Sequence, residues 1–136
     1  MVPPSELVRV HLHAECREIV RVFSLARKAT QQYGNASAWA KHKKPSASYT
    51  LGKGHVLFFV PHIKYLAQRY QELCADWRSR GYNVAQIPEE ELIAGIDSSF
   101  MNDYTPTQDA MRINRERIAL RLSEMVVKAA ARKERE

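Results

Sequence analysis

From Leu7 to Tyr33 the chain runs 27 residues without a proline or a glycine. A stretch of this length commits the chain to one long helix, opened at Ser5-Glu6 behind Pro3-Pro4 and closed by Gly34-Asn35. Within it Leu12, Cys16, Ile19, Phe23 and Ala26 recur at steps of three and four, which defines a buried face. His11, Glu15 and Glu18 share a second stripe, and Arg17, Arg21 and Lys28 lie beside it. A long helix with an apolar side and a mixed acid–base side needs other helices to cover it.

The rest of the chain supplies them. Pro61 or His62 opens a second helix, with Pro61 at its first position. It carries the stripe Ile63, Leu66, Tyr70, Leu73 and Trp77 and runs to Arg80, with Gly81 just past its end. Thr105 as cap and Pro106 at the first turn open a third, to about Ala131, with Met111, Ile118, Leu122 and Met125 toward the core. Ala36 to Lys44 and Pro88 to Gly95 read as short helical pieces. Between them Leu51-Gly52-Lys53-Gly54-His55 is a tight turn. The apolar run Val56-Leu57-Phe58-Phe59-Val60 has no partner strand, so it is expected as a buried extended segment. The expected fold is all-α: a single compact domain, 1–136, of three main helices with long irregular connections, flexible at 1–4 and 132–136.

A chain of 136 residues buries one core without staples. No apolar run approaches the roughly 18 residues that span a bilayer, and no secretory leader is expected at Met-Val-Pro-Pro-Ser-Glu. That points to a cytoplasmic setting, in a host cell or with the nucleoid, and to no membrane partner. Cys16 and Cys74 lack metal-ligand spacing and read as reduced thiols. The net charge of +6 favours a nucleic-acid partner without requiring one.

Three local readings compete. His11, Glu15 and Glu18 with His55 form a conceivable metal set, but the neighbouring arginines oppose a cation. Gly52-Lys53-Gly54 is too short for a P-loop, though its backbone N–H groups suit a DNA phosphate. Arg17, Arg21, Arg117 and Arg121, taken alone, read as solvated faces paired to Glu18 or Glu116.

Three blocks decide among these readings. The first is Ser5-Glu6-Leu7 with His11-Leu12, Ala14-Glu15, Arg17-Glu18, Arg21-Val22-Phe23 and Arg27-Lys28. The second is Leu51-Gly52, Gly54-His55-Val56, Phe58-Phe59, Leu66, Glu72-Leu73 and Arg80-Gly81-Tyr82-Asn83. The third is Phe100, Asp103-Tyr104, Pro106 and Arg117. In this order the chain resembles the pyrimidine-dimer DNA glycosylases of the bacteriophage T4 endonuclease V type.

The resemblance implies an all-α domain that cuts the glycosidic bond of a damaged pyrimidine and then breaks the strand by β-elimination. The family's nucleophile is an N-terminal α-amine, which forms a Schiff base with the sugar. An α-amine with a pKa of about 7.7–8 is partly unprotonated at neutral pH, unlike lysine at about 10.4. The matching carboxylate is Glu18. By the resemblance His11, Arg17, Arg21, Arg117 and, conservatively, Arg121 line the site and hold phosphates, the arginines suited by their planar fork; Lys28, Lys53 and His55 complete the candidate DNA-binding set. The implied partner is double-stranded damaged DNA, kinked with a base flipped out, bound by a monomer that needs no cofactor and no metal.

The chain departs from the family at both ends. The family's Thr-Arg start has no counterpart before Val2-Pro3, so the expectation is that Met1 is an internal methionine and this polypeptide lacks its nucleophile. The prototype's aromatic tail is matched by Ser123 to Ala131, with no aromatic residue, which leaves the lesion open; Trp39 could compensate or could serve as an ordinary packing residue. The competing functions are a non-catalytic damaged-DNA-binding module on the same scaffold and a helical protein-interaction domain.

Overall fold

The computed structural model describes residues 1–49 and 54–135, with Gly54 and His55 described by backbone only. Among the described residues the secondary structure is helical throughout, and the one β-bridge joins His62 to Met101. The protein is all-α. The chain forms two compact units, residues 3–105 and residues 1–2 with 106–136.

In the larger unit, α1 (Arg9–Tyr33) is the spine. Its end is set by Gly34, whose φ of 86° is one that a side chain disfavours, and whose N–H returns to the Thr30 carbonyl. α2 (Ala36–Lys43) follows at once, capped by the Asn35 side chain on the Ala38 N–H at 2.9 Å. α4 (Ile63–Ser79) packs along α1, and α5 (Glu89–Ile93) and α2 lie against α1 as well. Leu12, Ile19, Val22, Phe23 and Ala26 from α1 meet Ile63, Leu66, Tyr70 and Leu73 from α4 in the core. Truncating a fully buried member such as Leu12 or Leu73 to Ala costs about 2–5 kcal/mol.

Two arginines fasten the periphery. Arg27 reaches from α1 to the carbonyls of Ala94 (2.7 Å), Leu92 (2.8 Å) and Glu91 (3.1 Å). These are the oxygens that the short α5 leaves unsatisfied at its end. Arg80, just past α4, bonds Asp76 and the carbonyls of Leu7 (2.6 Å) and Pro4 (3.1 Å). It thereby holds the 3-10 turn Pro4–Glu6.

The apolar run Val56 to Phe59 is helical rather than extended, and Gly54 and His55 join it; the rest of the expected turn, 51–53, lies outside the described residues. α3 covers Gly54–Phe59. Phe58 and Phe59 make edge contacts with each other and with Tyr104, and Tyr65 and His62 close the cluster. A six-residue helix presents the adjacent pair Phe58-Phe59 to one aromatic cluster, whereas a strand would send them to opposite faces. Pro61 precedes the cap residue His62 and is not the first helical position expected of it.

In the smaller unit α6 is Gln108–Arg135. Its cap is Thr107, whose hydroxyl accepts from the Ala110 N–H at 3.0 Å, and not Thr105 with Pro106. It runs past the expected end at Ala131, because Ala, Arg, Lys and Glu are strong helix formers and no glycine or proline stops it. Of the four positions expected in a core, Met111, Ile118 and Leu122 are half-buried and Met125 is 40% exposed; only Ala110 is buried. The Val2 N–H donates to Asn114 of α6 at 3.1 Å.

Candidate functional site

The two carboxylates of the α1 motif have opposite settings. Glu15 falls on the buried side of α1 with Leu12, Ile19 and Val22, not on a separate stripe with Glu18. It is held there by Arg69 of α4, which is 5% exposed. The pairing is bidentate, Arg69 Nε to Glu15 Oε2 at 2.7 Å and Nη2 to Oε1 at 3.1 Å. A planar fork on a carboxylate satisfies both charges without water, which is how an arginine tolerates that depth.

Around this pair, burial pushes the Cys16 thiol up to about 11, with Cys74 and Glu15 adding to the rise. Cys74 is raised as well, chiefly by burial. Neither is in a disulfide. Both are therefore protonated, weak nucleophiles. Burial likewise raises the Tyr65 hydroxyl to about 12. The interior beside Glu15 is a place that suppresses chemistry.

Glu18 lies one turn further along and is exposed, as are Arg17, Arg21 and Lys28. Among the described residues, none of the four enters an ion pair. The expected neutralising partnership of Arg17 and Arg21 with Glu18 does not form. Glu116 is taken by Arg112 at 2.8 Å, and Arg112 also holds Asp109 at 2.7 Å. An acid and two guanidinium groups thus stand within one turn on a rigid helix, all with open hydrogen-bonding capacity. Side chains at such spacing have Cβ atoms roughly 5–6 Å apart, close enough to act on one sugar–phosphate unit.

His11 is half-buried on the same helix. Lys53 lies outside the described residues, and His55 is placed only by its backbone, on the first turn of α3. Arg117 and Arg121 sit together on α6, one half-buried and the other exposed. Trp39 is 3% exposed and packs edge-on to Phe100 at 5.9 Å, so it is a core residue and offers no face to a base.

A sequence model of the pyrimidine dimer DNA glycosylases matches residues 1–88. The chain belongs to that family. The matched span holds α1 through α4, and with them Glu18, Arg17, Arg21, Lys28, Lys53 and His55. Membership places the protein among DNA-repair glycosylases, whose substrate is DNA. No described helix is long and apolar enough to cross a membrane. Among the described residues no three His, Cys, Asp or Glu side chains gather to hold a metal ion, and Glu15, part of the conceivable metal set, is bound to Arg69.

Arg69 is the residue that local patterning misses. Its signal was present in the sequence: a cation inside the Leu66–Leu73 apolar stripe of one helix, and an anion inside the Leu12–Ile19 stripe of another. Two opposite charges on two buried faces predict each other, because neither is tolerable alone.

Proposed function

We propose that this protein excises a UV-type pyrimidine dimer, or a related damaged base, and then opens the abasic site by β-elimination. In this reading an N-terminal amine bonds to the sugar C1′ as the C1′–N glycosidic bond breaks. The C1′–O4′ bond then breaks, O4′ taking up a proton, and the ring opens to an iminium; this acidifies the C2′ proton, whose removal expels the 3′ phosphate and breaks the strand. Glu18 stabilises the cation and moves the proton. Arg17, Arg21, His11 and Lys28, with Lys53, His55, Arg117 and Arg121, bind phosphates around the lesion as the duplex is kinked and a base is flipped out.

The supporting observation is the exposed, unpaired Glu18 between two equally unpaired arginines, inside the segment that matches the family. Magnitudes favour that position over Glu15. A carboxylate 4 Å from a cation is worth about 1 kcal/mol in bulk water and about 4 kcal/mol where an effective dielectric near 20 applies. Glu18 gains the larger figure once DNA covers it, whereas Glu15 has already spent its charge on Arg69.

Borohydride trapping on abasic and UV-irradiated duplexes tests the reading, with the chain given the family's Thr-Arg start ahead of Val2. The expected result is a covalent protein–DNA adduct that maps to the N-terminal peptide. Damage-selective binding with no adduct would establish the competing function, a non-catalytic damage-binding module. Absent binding, or binding insensitive to salt, would remove DNA from the account, because phosphate contacts must weaken as salt rises.

A further inference from the structure

Beyond Arg121, α6 continues for fourteen residues to Arg135, past the span that matches the family. From Arg117 to Arg135 it carries six bases, Arg117, Arg121, Lys128, Arg132, Lys133 and Arg135, against two acids, Glu124 and Glu134. Their phase is not random. At about 100° per residue, five of the bases fall within a sector of about 60° of the helix surface, and only Lys133 lies away from it. Glu116 and Glu134 are off this sector, and Glu124 borders it.

The rail is also uncompensated. Arg121, Lys128, Arg132 and Arg135 are exposed and Arg117 is half-buried. None of the five has an ion pair among the described residues. Arg112, five residues before Arg117 on the same helix, has two acidic partners.

We propose that this face of α6 is a phosphate-binding rail for duplex DNA, extending the protein's grip well beyond the pair Arg117 and Arg121. The inference rests on the DNA-repair reading above and adds Lys128, Arg132 and Arg135 to it. The rail is about 27 Å long, most of one turn of B-DNA, which is about 34 Å. A duplex offers one negative charge per about 1.7 Å of its axis, so such a line meets phosphates along its whole length.

Two plainer explanations fall short. Bases in the last turn complement the helix dipole, but that accounts for Arg132, Lys133 and Arg135 alike and not for Lys128 and Arg121 in phase with two of them. A membrane-surface helix needs an apolar face with aromatic or bulky anchors. α6 has no aromatic residue, and of its exposed apolar residues only Leu120 and Val127 share a face, with Val126 about 100° or more away, too little for an apolar side.

The experiment is the salt dependence of binding to an undamaged duplex by the full chain. Each phosphate contact contributes about −0.9 to the slope of log K against log salt. The triple variant Lys128→Gln, Arg132→Gln, Arg135→Gln is expected to flatten the slope by about 2.7. Lys133→Gln, in the same last turn but off the rail, is expected to leave it unchanged, and so is the charge-keeping set Lys128→Arg, Arg132→Lys, Arg135→Lys. An unaltered slope in the triple variant would overturn the rail. So would equal effects of Lys133→Gln and Arg132→Gln, or a loss in the charge-keeping set. Loss of binding to phosphatidylserine vesicles with the DNA slope intact would assign the face to a membrane instead. The outcome is separable from the lyase reading: a chain that traps no adduct can still show the slope change, and one that traps can lack it.

Discussion

The two sides of α1 hold the same chemical pair, carboxylate and guanidinium, in opposite states. On the core side Glu15 and Arg69 are locked together, flanked by thiols and a phenol that burial keeps protonated. On the solvent side Glu18, Arg17 and Arg21 stand one turn away with nothing bound to them. One helix therefore carries its acid–base residues in two settings, one that fixes its seat on α4 and one that, in the proposed reading, meets DNA. The lesson is that residue type alone does not mark an active site. What separates structural from functional charge here is whether the opposite charge comes from within the protein.

That contrast can be broken from the core side first. Arg69→Ala leaves the Glu15 carboxylate half-enclosed without its partner, and loss of one member of a buried pair costs about 3–5 kcal/mol. Urea unfolding should show that drop, while the variant's remaining folded fraction still binds DNA with wild-type salt dependence. A drop below about 1 kcal/mol would place the pair with ordinary surface bridges. On the solvent side the signs reverse. Arg17→Gln with Arg21→Gln should leave the unfolding curve in place and flatten the salt slope of DNA binding by about 1.8. Destabilisation without a slope change would make both arginines structural.

The smallest effect is a pH dependence of stability. Burial holds the folded-state Cys16 pKa at about 11, above the ordinary thiol value of 9.0. Its contribution is thus complete below about pH 9 and is lost as pH rises toward 11. Cys16→Ala should flatten the fall of the urea midpoint across that window, and an identical fall in both proteins would contradict it.

Much of this was readable from the chain. α1 and α4 announce themselves through apolar periodicity and through Gly34 and Gly81, whose φ values of 86° and 88° end them. The Arg17-Glu18-Arg21 face follows from the same spacing. Three things were not legible, each for a physical reason. Val56 to Val60 mixes β-branched and aromatic residues that suit a strand equally well, and only packing of Phe58 and Phe59 on Tyr104 settles it as α3. Thr105 and Thr107 are both plausible caps, and hydroxyl geometry at Ala110 selects the second. Glu15 reads as part of the Glu18 stripe from α1 alone, because its partner Arg69 is 54 residues away and the pairing shows only when the apolar stripes of two helices are read together. For Trp39, compensation and ordinary packing were both open, and the partner that decides for packing, Phe100, is 61 residues away.

The central claim is that Glu18 does chemistry on bound DNA while the rest of its helix face binds. Single-turnover strand cleavage of UV-irradiated duplex, run alongside damaged-DNA binding for a chain bearing the family's Thr-Arg start and for its Glu18→Gln variant, tests it most directly. The account predicts a fall in cleavage of about 100-fold or more, the usual scale for a lost acid–base group, with binding and the unfolding midpoint nearly unchanged. Equal loss of cleavage and binding, or cleavage that survives the substitution, would contradict it.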